Sequence, residues 1–129
     1  MNVEDRKELV IYRITRSNET LKEINILIQN QLWHTAVNRL YYACYYAVIA
    51  LLVKNNIIAQ THNGVRQMFG LHFIKPGIIN KDLGKFYSDI FDKRQTGVYD
   101  DFISYTEADV LELIEPAIQL VREIEKLLF

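Results

Sequence analysis

Arg39, His62 and Arg94 are the side chains of this sequence whose type and setting best suit them to chemistry. Arg39 stands in NRLYYACYY, with Tyr42 and Tyr46 one and two helical turns further on. A guanidinium in so apolar a stretch needs a partner. Three are open to it: an acid of the same chain, solvent reached along its own stem, or an anion or nucleotide that stacks on the tyrosines. His62, in THNG, reads from local sequence as a loop residue bonding nearby backbone. Arg94 opens a different question. In KRQTGVYDD, Lys93 to Asp101, it either closes a helix or forms half of a reacting pair with Tyr99. In the first case Lys93 and Arg94 complement the dipole of a last turn, Gly97 ends the helix, and the Asp pair is solvated.

Other chemistries find little support. His34, His62 and His72 stand far apart, and none has a His or Cys at ligand spacing, so neither a metal nor a cofactor is expected. His72 has Leu71 and Phe73 beside it, which predicts packing. Arg66 and His72 are six residues apart, about 240° around a helix, and would not share a face. Cys44, the only cysteine, lies in an apolar run and reads as a small core residue.

The elements that must position these groups are helical. A chain of 129 residues, half of them apolar, with five Gly and two Pro, is long enough for one core and is read as one domain, 1–129. The formal charge of −1 argues against a surface that grips nucleic acid through bulk positive charge, though not against a local basic site. Val3, Val10, Ile14, Leu21, Ile24 and Ile28 form one stripe of a first helix, with Ser17-Asn18 as a point of bending or interruption. A second helix, about Leu32 to Lys54, is apolar nearly all round. One face (Val37, Leu40, Cys44, Ala47, Leu51) suits the chain's own core. The opposite face (Arg39, Tyr42, Tyr46, Ile49, Val53) suits more of the same chain or a second copy, so a homodimer is expected.

Thr61 or Asn63 caps a short helix ending near Gly70, and Pro76-Gly77 marks a turn. Helical spacing resumes from Lys81 to Arg94. Thr106, with Glu107 and Asp109 behind it, starts a last helix in which Pro116 predicts a kink. The fold class is all-α: an antiparallel helical bundle of about five helices, two or three of them long. The run Leu40 to Val53 spans about 21 Å as a helix, short of the roughly 30 Å hydrocarbon core. With a charged first segment, this reads as a cytoplasmic protein with no membrane association.

Three stretches in order, NRLYYACYYAVIALL, THNGVRQMFGLHFIKPG and KRQTGVYDDF, resemble the HEPN superfamily. The closer likeness is to its prokaryotic stand-alone branch, with an Asn-Arg followed by tyrosines, a Thr-His, and an Arg…Tyr-Asp element. The resemblance covers about Ala36 to Phe102. It implies an antiparallel bundle that dimerises through the region of these motifs. Many relatives are metal-independent ribonucleases, often toxins encoded beside a minimal nucleotidyltransferase. Their signature arginine and histidine pair a phosphate-steadying cation with a base for the RNA 2′-OH.

Laid on this chain, Arg94 takes the arginine's place and Tyr99 the histidine's, so the Arg-x4-His motif is degenerate. Asp101 stands where such toxins carry a tyrosine that accepts nucleotides. The resemblance therefore implies a module that binds nucleotide or RNA, or a nucleotidyltransferase partner, with Arg39, Tyr42, His62, Arg94 and Asp100 lining the ligand together with Tyr99. The alternative is a metal-independent endoribonuclease in which Arg94 acts with His62 or Tyr99.

Overall fold

The computed structural model describes residues 1–99 and 104–129, with 95–99 as helical backbone only. Helix α1 spans Val3–Gln29, α2 Trp33–Lys54, α3 His62–Phe69, α4 Lys81–Tyr99 and α5 Glu107–Leu128; a π-helical turn, Gly70–Ile74, follows α3 directly. No strand occurs among the described residues. Four helices are long rather than two or three, because α4 continues through Gly97 to Tyr99. The predicted cap at Gly97 is thus corrected. A glycine inside a helix costs only about 1 kcal/mol against alanine, too little to end one by itself.

Helix α2 lies at the centre, touching α1, α3, α4 and α5. Its composition demands this. Leu40, Tyr41, Cys44, Val48 and Leu51 are fully buried, and so are Ala36, Ala43, Ala47 and Ala50, whose small side chains let neighbouring backbones come close. By length and composition α2 could cross a membrane, yet most of it is buried inside the bundle.

The α1–α2 pair is antiparallel: contacts descend α1 as they ascend α2, from Glu23–Arg39 through Ser17–Ala43 to Arg13–Ile49. Sharp turns close both helices. Gln31 and Asn56 adopt φ 58°, and the amides of Leu32 and Ile57 bond back to the carbonyls of Leu27 and Leu52 at 2.9 Å each. Alongside α2, α5 runs parallel, as His34 meets Tyr105 at one end and Lys54 meets Leu128 at the other.

Ser17 and Asn18 do not interrupt α1. The Ser17 hydroxyl is buried and donates to the Ala43 carbonyl at 2.6 Å, while Asn18 bonds Glu125 and Arg122 of α5. Both are lateral ties between helices, which satisfies their polar groups without breaking the backbone ladder. At the other end of the stripe, Val3 is exposed. Thr106 caps α5 reciprocally with Asp109, and Thr61 caps α3 by accepting from the Gly64 amide. α5 holds Pro116 and continues to Leu128.

Candidate functional site

The Thr61 cap makes His62 the first residue of α3 rather than a loop residue, and turns its ring towards α2. There its Nδ1 lies 2.7 Å from the Tyr41 hydroxyl. Tyr45, one turn further along α2, stacks on the imidazole with centroids 4.4 Å apart and planes at 21°. The predicted backbone bond for this histidine is therefore replaced by a side-chain one. Burial and the positive charge of Arg94 push the His62 pKa below 6.5, so the ring is neutral at pH 7. Burial also raises the Tyr41 and Tyr45 phenols, which keep their protons.

Arg94 arrives from α4. Its Nη2 donates to the Tyr42 hydroxyl at 2.9 Å, and its Cζ lies 5.3 Å from the Tyr41 ring and 5.4 Å from that of Tyr42. Its Nε is buried, with no hydrogen-bond partner among the described residues. Tyr42 also carries Arg39, whose Cζ is 5.8 Å from the ring. Arg39, however, pairs with Glu23 at 3.2 Å and bonds the Thr20 hydroxyl. Of the four helix-two tyrosines, Tyr41, Tyr42 and Tyr45 gather around His62, while Tyr46 meets Arg16 on α1.

Arg94 stands at the edge of a cleft of about 200 Å³, lined also by Lys93 and by His34, Asn38 and Tyr105. The Tyr105 amide donates to His34 Nε2, its ring packs against the imidazole at 5.0 Å, and its hydroxyl donates to the Lys93 carbonyl. Neither Arg39 nor His62 lines this cleft. The expected constellation therefore divides into a cleft beside Arg94, an aromatic nest around His62, and a paired Arg39. Tyr42 joins Arg94 to Arg39, and Tyr41 joins Arg94 to His62.

On α4, five residues separate positions 94 and 99, which puts them about 140° apart around the axis. The Tyr99 side chain and the whole of Asp100 and Asp101 lie outside the described residues. Among the described residues no group of His, Cys, Asp and Glu could hold a metal ion. His72 is exposed on the π-helical turn, where only Phe73 of the three neighbours packs inward. Arg66 lies over Phe91 at 4.4 Å and pairs with Asp92.

Reading by motif missed His34, Asn38, Lys93 and Tyr105. No local spacing links them, because the cleft joins the starts of α2 and α5 to the end of α4. Which of the four α2 tyrosines meet His62 was not legible from the sequence; Tyr41 and Tyr45, at i and i+4, are two of them.

Residues 10–127 match the HEPN domain family. A UPF0332 protein of Thermotoga maritima is 37% identical over 124 residues, covering 96% of this chain and 94% of that one. A protein of Methanocaldococcus jannaschii named as a candidate toxin is 32% identical, covering 96% and 92%. A second candidate toxin of that organism is 30% identical over 101 residues, 78% of this chain and 69% of its own.

Proposed function

This chain belongs to the HEPN domain family, and from that premise we propose that it is a dimeric binding module for the phosphate of a nucleotide or RNA strand, with Arg94 as its anion anchor. One observation carries the reading. Arg16, Arg39, Arg66 and Arg94 all lie against aromatic rings. The first three also hold a carboxylate: Glu19 at 3.2 Å, Glu23 at 3.2 Å and Asp92 at 3.5 Å. Arg94 has none among the described residues, and Lys93 shares its cleft. A half-buried guanidinium held only by phenol rings and one hydroxyl retains donors for an oxyanion.

Bound there, a phosphate oxygen accepts from Arg94 and the Lys93 ammonium, and the half-buried tyrosines of α2 offer stacking surface to a base. The HEPN resemblance points to a homodimer and to a minimal nucleotidyltransferase as partner, and two relatives carry toxin names. Tyr99 in the histidine's place supports binding over cleavage, since a phenol of ordinary pKa, about 10, is a poor base at neutral pH.

A second reading, a toxin-like metal-independent ribonuclease using Arg94 with His62 or Tyr99, is favoured by one fact: a neutral His62 and Arg94 both contact Tyr41. Incubating labelled single-stranded RNA in EDTA with wild type and Arg94→Ala separates the two. The binding reading expects a retarded, intact strand with wild type and none with the variant. Cleavage to 2′,3′-cyclic phosphate ends that vanishes in Arg94→Ala establishes the nuclease instead. An RNA that is neither bound nor cut, under conditions where AMP also fails to bind, rejects both.

A further inference from the structure

We infer that Tyr41 holds His62 in a single tautomer, with its proton on Nε2, so that this ring faces a ligand as a hydrogen-bond donor and not as a base. The inference deepens the phosphate-site reading and rests on it for the word ligand; the tautomer itself does not depend on it.

The geometry leaves few choices. Tyr41 is wholly buried, and its hydroxyl lies 2.7 Å from His62 Nδ1. A phenol so placed keeps its proton through neutral pH and has to donate it somewhere. Among the described residues Nδ1 is its hydrogen-bond partner. The neighbouring Tyr87 hydroxyl makes no hydrogen bond of ordinary geometry among the described residues, and where the two buried phenols interact Tyr87 is the donor and Tyr41 the acceptor, so Tyr87 does not take the Tyr41 proton. A neutral imidazole carries one N–H. With the hydrogen on Nδ1, two donors would face each other across 2.7 Å and the buried phenol would lose its acceptor. With it on Nε2, Nδ1 accepts and both groups are satisfied.

The surroundings also keep the ring from turning over. Tyr45 stacks on it at 4.4 Å, and Tyr42 meets it edge-on at 5.8 Å with planes at 90°. Burial, and the positive charge of Arg94 against Tyr41 and Tyr42, disfavour protonation of the imidazole. His62 Nε2–H is then a donor, set in the aromatic nest outside the cleft that Lys93 and Arg94 line. Its complement is a group that only accepts, a phosphodiester or phosphate monoester oxygen of a strand that reaches from that cleft to the nest. Abstraction of a 2′-OH proton by His62 is excluded in this state, because its sole lone-pair nitrogen is occupied by Tyr41.

The test is a long-range ¹H–¹⁵N spectrum of histidine-labelled protein at pH 7.5, with His62 assigned by its absence in His62→Gln. The pattern expected for wild type is a protonated Nε2 and an unprotonated Nδ1. In Tyr41→Phe the His62 nitrogens move towards the average of two exchanging tautomers, while the signals of exposed His34 and His72 stay put. A proton on Nδ1 in wild type overturns the inference, and needs no variant to fold. An unchanged His62 pattern in folded Tyr41→Phe overturns the role of Tyr41. Adding a short single-stranded oligouridylate then shifts Nε2 if the site binds phosphate; a flat titration beside the expected tautomer counts against the ligand reading and leaves the Tyr41–His62 lock standing.

Discussion

Arg39 and Arg94 rest on the same ring, Tyr42, from different helices, yet among the described residues only Arg39 meets a carboxylate. Arg39 reaches Glu23 and Thr20 across the α1–α2 seam. Arg94 reaches the Tyr42 hydroxyl, and its buried Nε has no partner among the described residues. Arginine beside tyrosine therefore does not mark a site in this protein. The mark is an arginine beside tyrosine for which the described residues supply no acid, because a paired guanidinium has its charge balanced and its donors occupied.

The largest test of that contrast is on ligand binding. Arg94→Ala is expected to weaken retention of labelled single-stranded RNA by about 10–100-fold, the loss of a charged hydrogen bond or two. Arg39→Ala should change it by no more than about 3-fold, since its charge is balanced. Equal losses in a filter-binding titration would break the comparison.

A smaller effect falls on stability, with the roles reversed. Arg39→Ala removes an ion pair whose carboxylate is 47% exposed, so urea unfolding should show a cost of no more than about 1 kcal/mol. Ser17→Ala, which strips the buried hydroxyl from the same seam, should cost about 1–2 kcal/mol and leave RNA binding unchanged.

His62 adds a pH dependence on the Arg94 side alone. Its folded pKa lies below 6.5, so between those two values the unfolded chain takes up a proton that the folded chain refuses. The stability it contributes is complete above pH 6.5, declines as pH falls through that window, and levels off below the folded pKa. Thermal unfolding of His62→Gln should lose this part of the slope between pH 7.5 and 5, whereas Arg39→Ala should keep it. The smallest effect concerns the turn that sets the α1–α2 seam. Gln31 holds φ 58°, and Gln31→Gly should stabilise by up to about 1 kcal/mol without touching either arginine's ligand behaviour.

Much of this was legible in the residues. Apolar side chains nearly all round Leu32 to Lys54 demanded a helix covered on both faces, and α2 is one. Thr106 ahead of Glu107 and Asp109 marked the start of α5, while of the two caps open for α3, Thr61 and Asn63, the structure uses Thr61. The motif order carried the family. Punctuation read less well. Gly97 was taken as a stop and Ser17-Asn18 as a break, because both residue types weaken isolated helices; here α4 continues, and Ser17-Asn18 bonds neighbouring helices instead. His72 looked packed beside Leu71 and Phe73, but a π-helical turn changes which positions face inward.

Sequence alone determined the helices, their apolar stripes and the HEPN resemblance, since each follows from periodicity or from a short ordered motif, whereas the second face of α2 was left open between the same chain and a second copy. Tertiary structure decided which arginine is spoken for, which tyrosines meet His62, and which ends of helices share a cleft with Arg94. Those are questions of distance between side chains 16 to 71 positions apart along the chain. Charge balance and hydrogen bonding act over a few ångströms of space, a range that residue spacing along the chain does not reveal.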